Sequence, residues 1–243
     1  MYKYLFLLFI LISACKSKYV FHISDYEAQS KKIDENIEDV DSALYFMIEP
    51  YKSSLNEIMQ EKVAEALADF TKAQPESTLG NLVADATRFM ASEYLEEEID
   101  IGVVNYGGIR IPSINKGDVT LGNVFELMPF DNYLVVVEVN GQELKEIVAR
   151  IAAYGGWPIS GLSFKIEEDR TFSDIWINNK PLDVSKKYKI ALSDYIANGG
   201  DKMSMLINLK QTNTNKLLRE AFIDYFRKEK ELVPTMEGRI RIK

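Results

Sequence analysis

The 243 residues contain one histidine and one cysteine. His22 lies in a polar stretch near the start, so the chain has no H-x-H, no H-E-x-x-H and no Ser-His-Asp set. The hydrolase classes that depend on imidazole are therefore excluded from it. A two-metal centre of carboxylates alone would need acids gathered inward, and the acids here fall mostly on solvent faces. The lone thiol, Cys15, can close no internal disulfide. Basic charge is in deficit, 29 Lys and Arg against 37 Asp and Glu, for a formal net charge of -8. Without a basic stripe to release counterions, no nucleic-acid polymer is expected as a partner, although one or two local cations could hold a small anion. There is no G-x-x-x-x-G-K-[ST], and Asn105-Tyr-Gly-Gly-Ile-Arg110 is not a G-x-G-x-x-G.

What is present begins with MYKYLFLLFILISACKSK. Lys3 precedes an apolar run from Leu5 to Ile12, too short to cross a bilayer, which takes about 20 apolar residues. Ile12-Ser13-Ala14 then leads to Cys15, a pattern that looks like the lipobox of bacterial lipoproteins. The expectation is a signal peptide over 1–14, acylation of Cys15, and an exported chain tethered at the periplasmic face or surface of an outer membrane. Residues 15–40 are charged and read as a tether or lead-in, and 41–243 as a single α+β domain of mixed sheets flanked by helices.

Within that domain, Leu44, Met47, Ile48, Tyr51, Leu55 and Ile58 recur at helical spacing over 43–59, interrupted by Pro50. Val63, Leu67 and Phe70, with three alanines between them, also fit a helix over 62–70. Ser77 and Thr78 are N-cap candidates for a helix through Met90. Strands are expected at 99–105, 133–139, 162–166, 175–177 and 188–193, and a closing strand at 237–242. Gly117 to Thr120 reads as a turn into a short helix ending at Leu127, and further helices are expected over 142–153 and 215–228.

Three glycine loops stand out: NYGGIR and NGGD after strands, and YGGWPISG after a helix. Glycine combined with aromatic and polar side chains at element ends suits a small planar ligand, but tight turns with nothing bound would look the same.

The order PESTLGNLVADA, NYGGIR, GDVTLGNVFELMPFDNYLVVVEVNGQEL, YGGWPISGL, YKIALSDYIANGGD and MEGRIRI resembles the C-terminal domain of the 5'-nucleotidase family over residues 40 to 242. That family includes periplasmic UDP-sugar hydrolases and ecto-5'-nucleotidases. The resemblance implies a strand somewhere within 62–70. It also implies that a metallophosphoesterase domain with two divalent metals does the chemistry, while the C-terminal domain binds the nucleoside and presents its phosphate. The 243 residues contain no counterpart of the metal domain, so both metals would come from a separate partner chain, with no cofactor in this one.

By the same resemblance, Phe130 of MPFDN and Tyr195 of SDYIANGGD would sandwich the base, which suits a base because stacking contributes about 1–3 kcal/mol per base. Asp201 would accept from ribose hydroxyls, Asn132 and Asn105 would read the base edge or sugar, Arg110 would meet a phosphate, and Gly156 would line the base pocket. Three departures weaken the phosphate end. Tyr106 replaces the first glycine of N-G-G-G-I-R, an arginine expected before Glu76 is missing with Lys72 the nearest cation, and G-G-D-G-[FY] becomes Gly199-Gly200-Asp201-Lys202-Met203. Three functions compete: the substrate-binding subunit of a split 5'-nucleotidase acting on nucleosides or nucleoside monophosphates, a lipoprotein that only captures them, and a degenerate interaction domain.

Overall fold

The computed structural model describes Glu27 and residues 42–243. The expected signal peptide, the acylated Cys15, His22 and nearly all of the tether lie outside the described residues. The chain divides into two compact units, 1–47 and 48–243. Helix α1 (Ser42–Met59) starts in the first unit and carries Pro50 without a break. No described helix is long and apolar enough to cross a membrane.

In the second unit, β1 (Lys62–Ala66) is a strand where helical periodicity predicts a helix, so that expectation is corrected and the strand implied by resemblance is found. The reason is tertiary. β1 lies between β5 (Gly117–Thr120), to which it is antiparallel, and β13 (Glu231–Leu232), to which it is parallel, as the centre of a three-stranded sheet. Two ladders of long-range hydrogen bonds outweigh helix propensity, which even for alanine, the strongest helix former, amounts to less than about 1 kcal/mol per residue. β5 likewise replaces the expected turn, and Thr120 at its end caps α3 (Leu121–Leu127) in a reciprocal pair with Asn123. A two-stranded sheet joins β2 (Phe70–Thr71) to β4 (Ser113–Ile114). The 18-residue helix α2 (Thr78–Leu95) opens where the sequence suggests, with the Ser77 hydroxyl accepting from the Gly80 amide.

The unit is organised around a five-stranded sheet of order β12-β6-β11-β3-β7, built from β3 (Ile101–Val103), β6 (Tyr133–Asn140), β7 (Ile159–Ser160), β11 (Lys187–Ser193) and β12 (Gln211–Leu217). Alternation along β6 divides two cores. Leu134 and Val136 join α2 and α6 (Leu218–Glu229) on one face, while Val135, Val137 and Val139 meet α4 (Gly141–Ala153) on the other. That is the period-2 geometry of a strand buried on both sides. The second core also receives β8 (Leu162–Ile166), which lies in a four-stranded sheet of order β10-β9-β8-β14 with β9 (Phe172–Ile177), β10 (Lys180–Pro181) and β14 (Ile240–Ile242).

Two further expectations need correction. The last helix begins at Leu218, because 211–217 form the edge strand β12, whose QTNTN sequence carries no apolar alternation. An edge strand needs only one partner, and β12 pairs with β6 alone in that sheet. The NGGD loop follows a one-turn helix, α5 (Asp194–Ala197), and not β11 directly.

Candidate functional site

Sheet direction brings three of the predicted loops together. β6 runs antiparallel to β11 with Leu134 opposite Ser193, so the start of β6 adjoins the end of β11. β3 is parallel to β11, so its end points the same way. The loops carrying Phe130 and Asn132, Asn105 to Arg110, and Tyr195 to Asp201 therefore leave one edge of the five-stranded sheet.

The centre of the cluster is the Asp201 carboxylate. Tyr195 Oη donates to its Oδ1 at 3.1 Å and Asn105 Nδ2 donates to its Oδ2 at 2.7 Å. Asp201 sits at φ 49, in the left-handed region, and Gly199 before it at φ 92. Between them, Gly200 is required by space: a Cβ there would lie 2.5 Å from Cε1 and Cζ of Tyr195. The Tyr195 ring thus rests on bare backbone. The residue stays 45% exposed. Removal from water, and then the bond to Asp201, raise the Tyr195 pKa. The nearby Tyr154 phenol, from the YGGW loop, raises it slightly further.

Asn132 Nδ2 donates to Asp194 Oδ1 at 3.0 Å, which ties the MPFDN loop to the residue before Tyr195. Phe130 is 39% exposed. No ring contact joins it to Tyr195 among the described residues. The Arg110 guanidinium lies 5.8 Å from the Phe130 centroid, near the outer limit of a cation–π contact. Its other contact is a 3.3 Å bond to the Gly107 carbonyl, and no carboxylate pairs with it among the described residues.

Gly156 stands apart from this cluster. It is buried at φ 105 against Pro75, whose carbonyl oxygen would lie 2.5 Å from a Cβ. Gln74 Nε2 fixes the same loop by donating to the carbonyls of Tyr154, at 2.9 Å, and of Gly156, at 2.7 Å.

The structure brings in two residues that sequence reasoning did not count among the site residues. Lys72 donates to the Ile109 carbonyl at 2.7 Å and lies 4.1 Å from the Tyr106 centroid. Burial first, and then Arg110, lower its pKa, so two like charges face one neighbourhood. The sequence marks Lys72 as the nearest cation but gives no sign that it reaches across to Tyr106. Arg219 is buried in α6 and donates to the carbonyls of Met128 and Phe130 and to Asp131, with its guanidinium 4.3 Å from the Phe125 centroid. It fastens the loop that displays Phe130. Nothing local in the sequence marks it, because its carbonyl partners are about ninety positions away.

A cavity of about 890 Å³ lies elsewhere, lined by Asp85, Arg88, Trp176, Arg239 and Arg241 among others. It includes none of the predicted site residues. Arg239 within it is already paired with Asp85 and Glu237. Among the described residues no group of three or more His, Cys, Asp or Glu side chains could hold a metal ion.

The family model described as 5'-nucleotidase, C-terminal domain matches residues 58–208. The 5'-nucleotidase of Vibrio parahaemolyticus is 29% identical over 174 residues, covering 66% of this chain and 29% of that protein. Protein UshA of Escherichia coli is 31% identical over 139 residues, 55% of this chain and 25% of that one. Among solved structures, a 5'-nucleotidase precursor from Thermus thermophilus superposes with a TM-score of 0.71 at 28% identity, covering 83% of this chain and 43% of that chain. The chain thus spans under a third of these curated relatives and under half of the solved one.

Proposed function

The chain belongs to the 5'-nucleotidase C-terminal domain family, and on that premise we propose that it is the nucleoside- or nucleotide-binding subunit of a split 5'-nucleotidase. In this reading it presents the phosphate to a separate metallophosphoesterase chain that supplies two divalent metals, while a lipid on Cys15 anchors the exported subunit.

The observation that carries the reading is the convergence of Tyr195 and Asn105 on Asp201 from two loops. A carboxylate offers about four lone-pair sites, so with two occupied Asp201 can still accept from a pair of ribose hydroxyls. The Tyr195 ring, backed by Gly200, offers its other face to a base, with Phe130 as the opposing aromatic. Asn105 and Asn132 hold the two loops in register while presenting amides to the base edge or sugar. Arg110 and Lys72 lie where a phosphate would relieve their mutual repulsion. Gly156 contributes by fixing the YGGW loop, which carries Tyr154 towards Tyr195.

The test is a calorimetric titration with adenosine and AMP, repeated on Tyr195→Ala, followed by an AMP hydrolysis assay with a stand-alone metallophosphoesterase chain added. Saturable binding that Tyr195→Ala loses, and hydrolysis only when both chains are present, are expected. Absence of saturation with either ligand would remove the nucleoside site. Binding with no partner-dependent hydrolysis would leave a capture lipoprotein.

A further inference from the structure

Two of the departures at the proposed phosphate end, Tyr106 and Lys72, touch each other. Lys72 follows β2, and its amide donates to the Pro112 carbonyl at 2.8 Å. Its side chain turns back along the same loop, where Nζ donates to the Ile109 carbonyl at 2.7 Å and lies 4.1 Å from the Tyr106 centroid. The ring is a fixed platform, since Tyr106 packs against the second core and its neighbour Asn105 is bonded to Asp201. Arg110 belongs to the same loop, and its guanidinium folds back to the Gly107 carbonyl at 3.3 Å, one residue from Tyr106. Among the described residues no carboxylate lies within ion-pair distance of either cation. Acids are not scarce, since Asp and Glu outnumber Lys and Arg by 37 to 29.

Burial and then Arg110 disfavour the charge on Lys72, so an unrestrained ammonium at this place would swing out to water. Two contacts oppose that. The Ile109 carbonyl takes one of its three N–H groups, and the electron-rich face of Tyr106 attracts the cation and sets its side of approach. The remaining N–H groups can serve an anion that also reaches the Arg110 guanidinium. We propose that Tyr106 is a positioning residue for phosphate: its ring keeps Lys72 beside Arg110, so that both cations meet the phosphate monoester of a nucleotide whose nucleoside is held at Asp201. This rests on the nucleotide-binding reading above. The glycine that Tyr106 replaces would offer the ammonium no such surface, so the two departures act as one feature.

Calorimetry of the full chain with AMP and with adenosine tests this. Holding the ammonium in advance spares the ordering of a rotamer-rich side chain on binding. Tyr106→Leu, which keeps apolar bulk and removes the ring, should therefore weaken AMP about two- to tenfold and adenosine less than about twofold. Tyr106→Phe, which keeps the ring, should bind both ligands as the wild type does. In a Lys72→Met background, Tyr106→Leu should cost no further AMP affinity, because the ring acts through the lysine. Equal weakening of both ligands in Tyr106→Leu would reduce the ring to a packing role and overturn the proposal. So would an AMP loss that persists in the Lys72→Met background. Lys72→Met alone should also weaken AMP selectively, and wild-type AMP affinity in it would overturn the proposal whatever Tyr106→Leu does. A wild type that binds neither ligand would remove the nucleotide-binding reading itself, whereas intact adenosine binding with AMP indifferent to Tyr106→Leu would remove this inference alone.

Discussion

Replacing Gly200 by alanine asks whether the glycine loop places the Tyr195 ring. The new Cβ would lie 2.5 Å from two ring carbons and 2.6 Å from the Tyr195 carbonyl oxygen. Carbon atoms pack without strain at about 3.5–4.0 Å, so ring and loop must part by about 1 Å. Of the two, the ring is freer, since the carbonyl belongs to the backbone of α5. A ring moved that far loses the 3.1 Å bond to Asp201 as well as its alignment with a base. The stacking contribution at risk is about 1–3 kcal/mol, which weakens nucleoside binding by roughly 5- to 150-fold. The half-exposed ring can yield but the Tyr195 carbonyl cannot, so global stability should fall as well, by about 1–3 kcal/mol.

Calorimetry with adenosine on Gly200→Ala, Tyr195→Ala and the double variant separates the causes. If both changes abolish the same stack, the double variant binds no worse than Tyr195→Ala alone, a strongly non-additive cycle. Wild-type affinity in a folded Gly200→Ala chain, or losses that simply multiply, would refute the placement of Tyr195 by Gly200.

Lys72 is held below the usual lysine value by burial and by Arg110, so AMP affinity should fall as pH rises from about 7 towards 10, with adenosine affinity flat and the slope absent in Lys72→Met. Without ligand the sign reverses: the charged lysine is disfavoured by folding, its penalty is complete below the folded pKa, and it is relieved as pH approaches 10.5. Arg219→Met should cost about 2 kcal/mol in urea denaturation, because the carbonyls of Met128 and Phe130 lose their donor. The ion pair with Asp131, itself largely exposed, should add little, and a loss under about 1 kcal/mol would show that water replaces the guanidinium. Gly156→Ala combines a positive φ with a backbone clash at Pro75, and the same assay should read about 3 kcal/mol or more; a near-neutral result would mean the Gln74–Pro75 segment moves aside.

The elements read correctly from sequence are those whose signals are local. YLVVVEV is strongly β-branched, and Asn140 with Glu143 forms a reciprocal cap that fixes the start of α4. Periodicity alone misses β1, which only the resemblance implies, and β12, because their strand character comes from partners distant in sequence: β1 from Thr120 and Leu232, β12 from Val137. The site divides in the same way. Tyr195 and Asp201 sit six residues apart in one motif, and the resemblance links them to Phe130, Asn132, Asn105 and Arg110. Lys72 and Arg219 act through contacts 37 to 91 positions away, which no local pattern encodes.

The two ends of the candidate site differ in how firmly they are held. At the proposed nucleoside end, Asp201 has two donors, Asn132 is bonded to Asp194, and the Phe130 loop is fastened by a buried arginine. At the proposed phosphate end, Arg110 is exposed with one long bond and a distant ring, and the charge on Lys72 is disfavoured by burial and then by Arg110. A preorganised group spends less ordering entropy on binding than a loose one. On the proposed reading, this chain alone should draw most of its affinity from base and ribose, with the phosphate adding little until a second chain confines it. In that reading, two cations that steer a phosphate without clamping it would suit a subunit that passes the phosphate to metals held by a partner.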